Sequence, residues 1–396
     1  MTKRFAVLLV GSPLHDPAEV AAVVAPYLSG LEALGGELLQ RPPEAAGRPL
    51  LFLVATGGTE EAVLDLWDGS GPLLLVAHPG HNSLPASLEA LAAARQQGGR
   101  GRILYLDGPG DEEGLRSALA AVEDVEAWQA LGRSRLGLVG KPSDWLVAST
   151  PDAAVVRRVW GPEVIQVGMD RFLAACRAAS VEGSADGGVE AALRALASEE
   201  RLDALTVRCF DLIGARQATA CLALSALNDE GVAAGCEGDL PSAVAMLWVR
   251  RLLGAVSWMA NPARLDPAAG TVTLAHCTVP RSLVTAVRLD THFESGLGRA
   301  LAGTVPTGPV TLVRIGGRGL DRLWLAEGEV VSSGTEPDLC RTQATVRLAT
   351  GRVGDLLTDP LGNHLVMVPG HQAGRLGGWW EAFVGPGYQS RSIVPG

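Results

Sequence analysis

The chain has only seven histidines, and three of them stand at the edges of apolar runs beside residues able to work with them. His276 follows the run 271–275 and leads into Cys277-Thr278-Val279-Pro280, while His364 opens the run 364–368 after Leu361-Gly362-Asn363. His292 and Glu294 share the segment Thr291-His292-Phe293-Glu294-Ser295-Gly296. A carboxylate, Glu237, lies in Gly235-Cys236-Glu237-Gly238-Asp239-Leu240-Pro241-Ser242, where a short apolar run meets a helical pattern. Taken singly, each histidine reads more readily as a hydrogen-bonded structural residue. One carboxylate with two imidazoles from separate elements, however, makes a mixed nitrogen and oxygen set suited to a borderline divalent cation. Gly235 and Gly238 allow a bound group close to the backbone. The alternatives are a solvent-facing turn for Glu237 and capping of the next helix for Asp239.

Positioning these side chains requires a framework that the apolar periodicity supplies. Runs at 5–10, 50–55, 72–77 and 102–106 read as buried strands, and they alternate with helical patterns at 17–34, 59–67, 84–97 and 111–131. That alternation implies βαβ units and a parallel sheet covered on both faces. A second series begins at Arg135, with strands at 136–139, 164–167, 204–209, 232–236 and 255–260. Beyond about residue 267 the segments 271–275, 310–315, 323–326, 344–348 and 364–368 are joined by turns with few helices, the pattern of an antiparallel sheet or barrel. The expected class is therefore α/β: two doubly wound, Rossmann-like parallel-sheet domains (1–133 and 134–266) followed by a mostly antiparallel β domain (267–396). On this reading Glu237 and Asn261 both end parallel strands, where open α/β sheets bind ligands. The turns after the early strands, Thr56-Gly57-Gly58-Thr59 and His78-Pro79-Gly80-His81-Asn82-Ser83, occupy equivalent ends. His81 and Asn82 are candidate ligand contacts, while Thr59 and Ser83 also suit helix caps. Trp145 offers a stacking face, with packing as the plainer role.

Composition removes several classes. With 33 Lys+Arg against 43 Asp+Glu, the net charge of −10 provides no footprint for nucleic acid or an anionic membrane. No apolar run approaches the ~18 residues of a membrane span. The opening Lys3-Arg4 and the run 5–10 read as a first strand rather than an export leader. Six widely spaced cysteines without C-x-x-C suit reduced thiols in a cytoplasm. No dinucleotide fingerprint, phosphate loop or nucleophile elbow occurs. Arg314, Arg318 and Arg341 read as solvated or ion-paired surface, with an anionic substrate group as the alternative partner.

The run from Cys236 to Leu247, then Met259-Ala260-Asn261, His276-Cys277-Thr278-Val279-Pro280 and Gly362-Asn363-His364, resembles the L-fucose isomerase and L-arabinose isomerase superfamily. The resemblance is clearest over roughly 205–375. It implies two α/β domains before a β-rich one, Mn²⁺-dependent aldose–ketose isomerisation of a sugar, and assembly into trimers or hexamers with active sites near subunit boundaries. It also implies that Glu237, His276 and His364 ligate the metal, and that Glu237 shares in proton transfer. The second acidic ligand falls on Asn261, whose amide oxygen can coordinate a cation but cannot act as a base. Either Glu237 does the work of both carboxylates or another acid, Glu294, Asp239 or Asp229, substitutes; Glu294 is the favoured base, being one hairpin length beyond the His276 strand. Asp239, His292, His81 and Asn82 complete the expected substrate contacts. Two other readings stand beside this one: a non-catalytic sugar-binding or regulatory protein that keeps the fold, and a two-lobed solute-binding protein, which the missing export signal and the β-rich last domain disfavour.

Overall fold

The computed structural model describes residues 4–69, 71–181 and 188–385. They form two compact units, one of residues 4–128 with Trp379–Gly385 and one of Gln129–Gly378.

The first unit contains strands β1 (Phe5–Val10), β2 (Gly36–Leu39), β3 (Leu50–Val54), β4 (Leu73–Ala77) and β5 (Gly101–Tyr105). Between them run helices α1 (Pro17–Ala33), α2 (Glu60–Leu66), α3 (Ser83–Gln96) and, after β5, α4 (Glu112–Arg133). The strands pair in parallel in the order β2-β1-β3-β4-β5, a doubly wound arrangement. Leu51, Leu53, Leu74 and Leu75 have no exposed surface, which is why these strands read as continuous apolar runs instead of alternating ones. Strand β2 escapes sequence reading because Gly36-Glu37-Leu38-Leu39 lacks β-branched residues and is only four residues long.

The second unit begins with a four-stranded parallel sheet of β6 (Arg135–Val139), β7 (Glu163–Val167), β8 (Ala204–Val207) and β9 (Ala233–Cys236), in the order β7-β6-β8-β9. Its helices are α5 (Ala153–Trp160), α6 (Met169–Ala179), α7 (Val189–Glu199), α8 (Phe210–Arg216), α9 (Cys221–Asp229) and α10 (Leu240–Leu253). The same unit continues into β10 (Trp258–Asp266), β11 (Thr271–His276), β12 (Ala286–Asp290), β13 (Ala300–Thr304), β14 (Gly308–Gly316), β15 (Arg322–Gly334), β16 (Thr342–Leu348) and β17 (Leu365–Pro369). Two late helices, α11 (Asp355–Thr358) and α12 (Ala373–Phe383), flank β17. Strands β11-β10-β17-β14-β15-β16 follow one another by antiparallel pairing, and β11 also pairs with β16, closing a six-stranded barrel. Closure leaves those strands no free edge. Trp258, Leu274, Leu312, Trp324, Val346 and Met367 are part of its core. The ribbon β12–β13 joins through a single parallel bridge, Thr304 to Gln343.

One expected strand changes partners. The segment expected at 255–260 to extend the parallel sheet is instead β10, which pairs antiparallel with β11 and β17. Helix α10 ends at Gly254 in the left-handed conformation; the chain beyond then buries Trp258 and Ala260 in the barrel. Asn261 consequently lies within a barrel strand opposite Ala275, one residue from His276. Helix α10 packs against β8 and β9 and also against β10, β14 and β17, so it joins the parallel sheet to the barrel. Among the described residues no helix is long and apolar enough to cross a membrane.

Candidate metal centre

Three elements of the second unit each deliver one residue whose side chain is able to ligate a metal. Glu237 follows β9 directly, His276 is the last residue of β11, and His364 immediately precedes β17. One side-chain ligand atom from each lies within 4.8 Å of those of the other two, and all three residues are buried. The spacing and the donor types suit a divalent cation of borderline hardness.

The surroundings orient these donors. His364 has no exposed surface, and its Nδ1 lies 2.8 Å from Asp239 Oδ2, an arrangement that presents Nε2 to the site. That Nε2 is 3.5 Å from Glu237 Oε1 and has no hydrogen-bond partner. A buried imidazole nitrogen left unsatisfied and aimed at a carboxylate is the feature expected of a ligand whose cation completes the site. His276 Nδ1 lies 2.8 Å from Thr278 Oγ1, leaving its Nε2 for the same centre. Trp145 Nε1 donates to Glu237 Oε2 at 2.6 Å.

The three groups respond differently to burial and to one another. Burial works to raise the Glu237 carboxyl, but His364, Trp145 and His276 outweigh it and hold the group below the usual carboxylate range. Burial, with His364 beside it, pushes His276 down to about 3, so the imidazole is neutral, as a metal ligand must be. For His364 burial is outweighed by Asp239 and Glu237, and its value rises.

A cavity of about 300 Å³ is lined by Trp145, Phe210, Glu237, Asn261, Glu294 and Asn363. Thus Glu237, Asn261 and Glu294, far apart in sequence, face one space. Burial, and then the negative charge of Glu237, raise the Glu294 carboxyl above its ordinary value. His292 is buried, with its ring edge-on to Phe210 at 5.5 Å, and Phe210 is likewise edge-on to Trp145 at 4.8 Å.

Other expected residues lie elsewhere. Asp239 has no exposed surface: Oδ1 accepts from the Ser242 N–H, capping α10, and Oδ2 meets His364 and Arg314. The expected substrate contact from Asp239 therefore gives way to a supporting position: Asp239 is not among the residues lining the 300 Å³ cavity, and its carboxylate, engaged by Ser242, His364 and Arg314, stands behind His364. Arg314, read as surface from the sequence, is 2% exposed. His81 and Asn82 belong to the first unit, where with His15, Gly57, Gly58 and Glu60 they help to line a cavity of about 340 Å³ at the carboxyl ends of β1, β3 and β4. Phe210 and Asn363 were not singled out by sequence reasoning; the available signal was their place just after β8 and just before His364.

No family model matches the chain. Two curated proteins do. The chain is similar to sulfoquinovose isomerases. Against that of Clostridium sp. (strain MSTE9) it is 29% identical over 154 residues, 37% of this chain and 34% of the relative. Against that of Alkalicoccus urumqiensis it is 29% identical over 132 residues, 32% and 30% of the two chains. The chain thus matches about a third of the length of these relatives. Their name supports a sugar-isomerase reading, in line with the family that the motifs resemble.

Proposed function

We propose that this protein is an aldose–ketose isomerase acting on a sugar, with a divalent cation, Mn²⁺, held by Glu237, His276 and His364 and by the Asn261 amide oxygen. The observation that carries the reading is the convergence of that buried carboxylate and those two imidazoles beside a polar cavity. When bound, the cation polarises the sugar's carbonyl and hydroxyl oxygens and stabilises negative charge developing on them. The protein's own residues move the protons. Glu294, on the cavity wall and raised in pKa, takes the proton from C2 and returns it to C1, while a proton passes from the C2 oxygen to the C1 oxygen. Glu237 assists the transfer between oxygens. Trp145 packs against the sugar, and Asn363 and His292 hold it in register.

The substrate we infer is sulfoquinovose, the sugar for which both relatives are named, with L-fucose and L-arabinose as the competing candidates. We read the protein as a cytoplasmic homo-oligomer, a trimer or hexamer, in which His81 and Asn82 supply further sugar contacts to a neighbouring copy's site. Asn261, where a second carboxylate ligand is expected, favours a second reading: a sugar-binding protein without turnover. Incubation of the metal-depleted protein with Mn²⁺ and each sugar in D₂O separates the two. Deuterium entering the sugar together with ketose formation supports isomerisation. Binding without exchange for any of the three sugars refutes it.

A further inference from the structure

Behind His364 stands a second layer of charge that the proposed reaction does not use. Arg314, on β14, has a side chain only 2% exposed and lies 3.1 Å from Asp239 Oδ2, which is itself fully buried. Its guanidinium is spent entirely inside the protein: Nη1 donates to Asp239 and to Ser242 Oγ, Nη2 to Ser149 Oγ and Nε to the Leu361 carbonyl. Those partners come from three separate places, namely the loop after β6, the first turn of α10 and the segment that carries His364. Gly362 is held equally tightly, since at its φ of +143° a Cβ would meet Arg314 Nη2 at 2.1 Å.

We propose that Arg314 is a positioning residue for the cation: it locks Asp239 in place so that Asp239 holds His364 with Nε2 facing Glu237 and His276. The inference rests on the reading of those three residues as metal ligands. The physical argument is one of compensation. A carboxylate buried beside an imidazole needs a fixed countercharge, and a planar fork with several bound donors fixes geometry where a flexible ammonium would not. Without it, Asp239 loses its countercharge and keeps only the Ser242 N–H and His364 as partners, and the Gly362-Asn363-His364 segment loses its anchor at Leu361. Groups that orient ligating histidines in this way change metal affinity by roughly 10–100-fold when removed.

The test uses the full chain with Mn²⁺ alone as probe. Free Mn²⁺ is followed by electron paramagnetic resonance during titration of wild type, Arg314→Gln, Arg314→Lys and Asp239→Asn, and circular dichroism establishes that each is folded. The expected result is binding weaker by about 10–100-fold for Arg314→Gln and Asp239→Asn, with Arg314→Lys between them and wild type because it keeps the charge but not the fork. The visible spectrum of the Co²⁺-loaded protein should change in the same variants, a response that a purely structural residue would not give. Should Arg314→Gln fail to fold, Arg314→Lys decides. Folded Arg314 variants that bind Mn²⁺ as tightly as wild type, with an unaltered Co²⁺ spectrum, overturn the proposal. Wild type that binds no Mn²⁺ overturns the metal site itself.

Discussion

Glu294→Gln separates proton transfer from metal binding, because the residue lines the cavity with Glu237 but is not one of the three converging donors. The amide keeps the volume and the hydrogen-bonding reach of the side chain while removing its ability to accept a proton. Loss of a positioned general base costs ~10²–10⁴ in rate, which at about 1.4 kcal/mol per decade is roughly 3–5 kcal/mol of transition-state stabilisation. The expected outcome is a fall of that size in kcat for the sugar, with a parallel fall in deuterium exchange at C2. Mn²⁺ affinity should change far less than kcat, because Glu294 is not among the converging donors. Burial and Glu237 raise the Glu294 carboxyl, and a base works only when deprotonated. Wild-type activity should therefore decline as pH falls through a value above the ordinary glutamate range, and the residual activity of the variant should lack that limb. Isotope exchange and turnover both near wild-type levels would assign the base elsewhere.

Two further outcomes follow from the same geometry. Mn²⁺ at a hundredfold excess over its Kd should stabilise the folded protein by about 2.7 kcal/mol, seen as a rise in Tm that EDTA reverses and that Glu237→Gln abolishes; an unchanged Tm in wild type speaks against a cation site. Gly238→Ala should cost about 1–3 kcal/mol in urea unfolding, because Gly238 has φ of +72° and a Cβ there would lie 2.7 Å from the Lys141 carbonyl oxygen; equal midpoints for the two proteins would refute the strain.

What the sequence could and could not disclose follows from the range of each interaction. Buried parallel strands announce themselves as apolar runs, so β1, β3, β4 and β6 are legible, and turn chemistry marks Glu237 and His364 as residues at strand ends. The partner of a strand is not local information. The segment at 255–260 is as apolar as any strand of the parallel sheet, and only the antiparallel pairings of β10 with β11 and β17 assign it to the barrel. Strand β12, whose first four residues are all exposed, has no buried face to create a pattern. Arg314 shows the same limit at the site. Its sequence neighbours say nothing of Asp239, 75 positions away, so a buried countercharge reads as one more surface arginine.

The backbone at Glu237 gives the strongest sign that the site is under functional constraint. Its φ is +64° and that of Gly238 is +72°, two successive left-handed residues, of which only the second is glycine. A side chain in that region costs roughly 1–2 kcal/mol, and folding alone would place Gly or Asn there. The turn is nonetheless held firmly: the Glu237 carbonyl accepts from the Ser143 N–H, Gly238 N–H donates to the Val207 carbonyl, and Asp239 caps α10. Such a conformation turns the chain away from β9 and aims the carboxylate at His276 and His364. Glu237→Gly should then relieve that strain, while losing the hydrogen bond from Trp145, worth about 1.5–3 kcal/mol, and the favourable charge interactions with His364 and His276. In EDTA the two effects largely offset each other and the variant should melt close to the wild-type temperature, yet show no stabilisation by Mn²⁺. Calorimetry of the metal-free pair measures this directly. A variant that melts well below wild type without metal would mean that Glu237 serves the fold first, and the metal reading would lose its clearest structural argument.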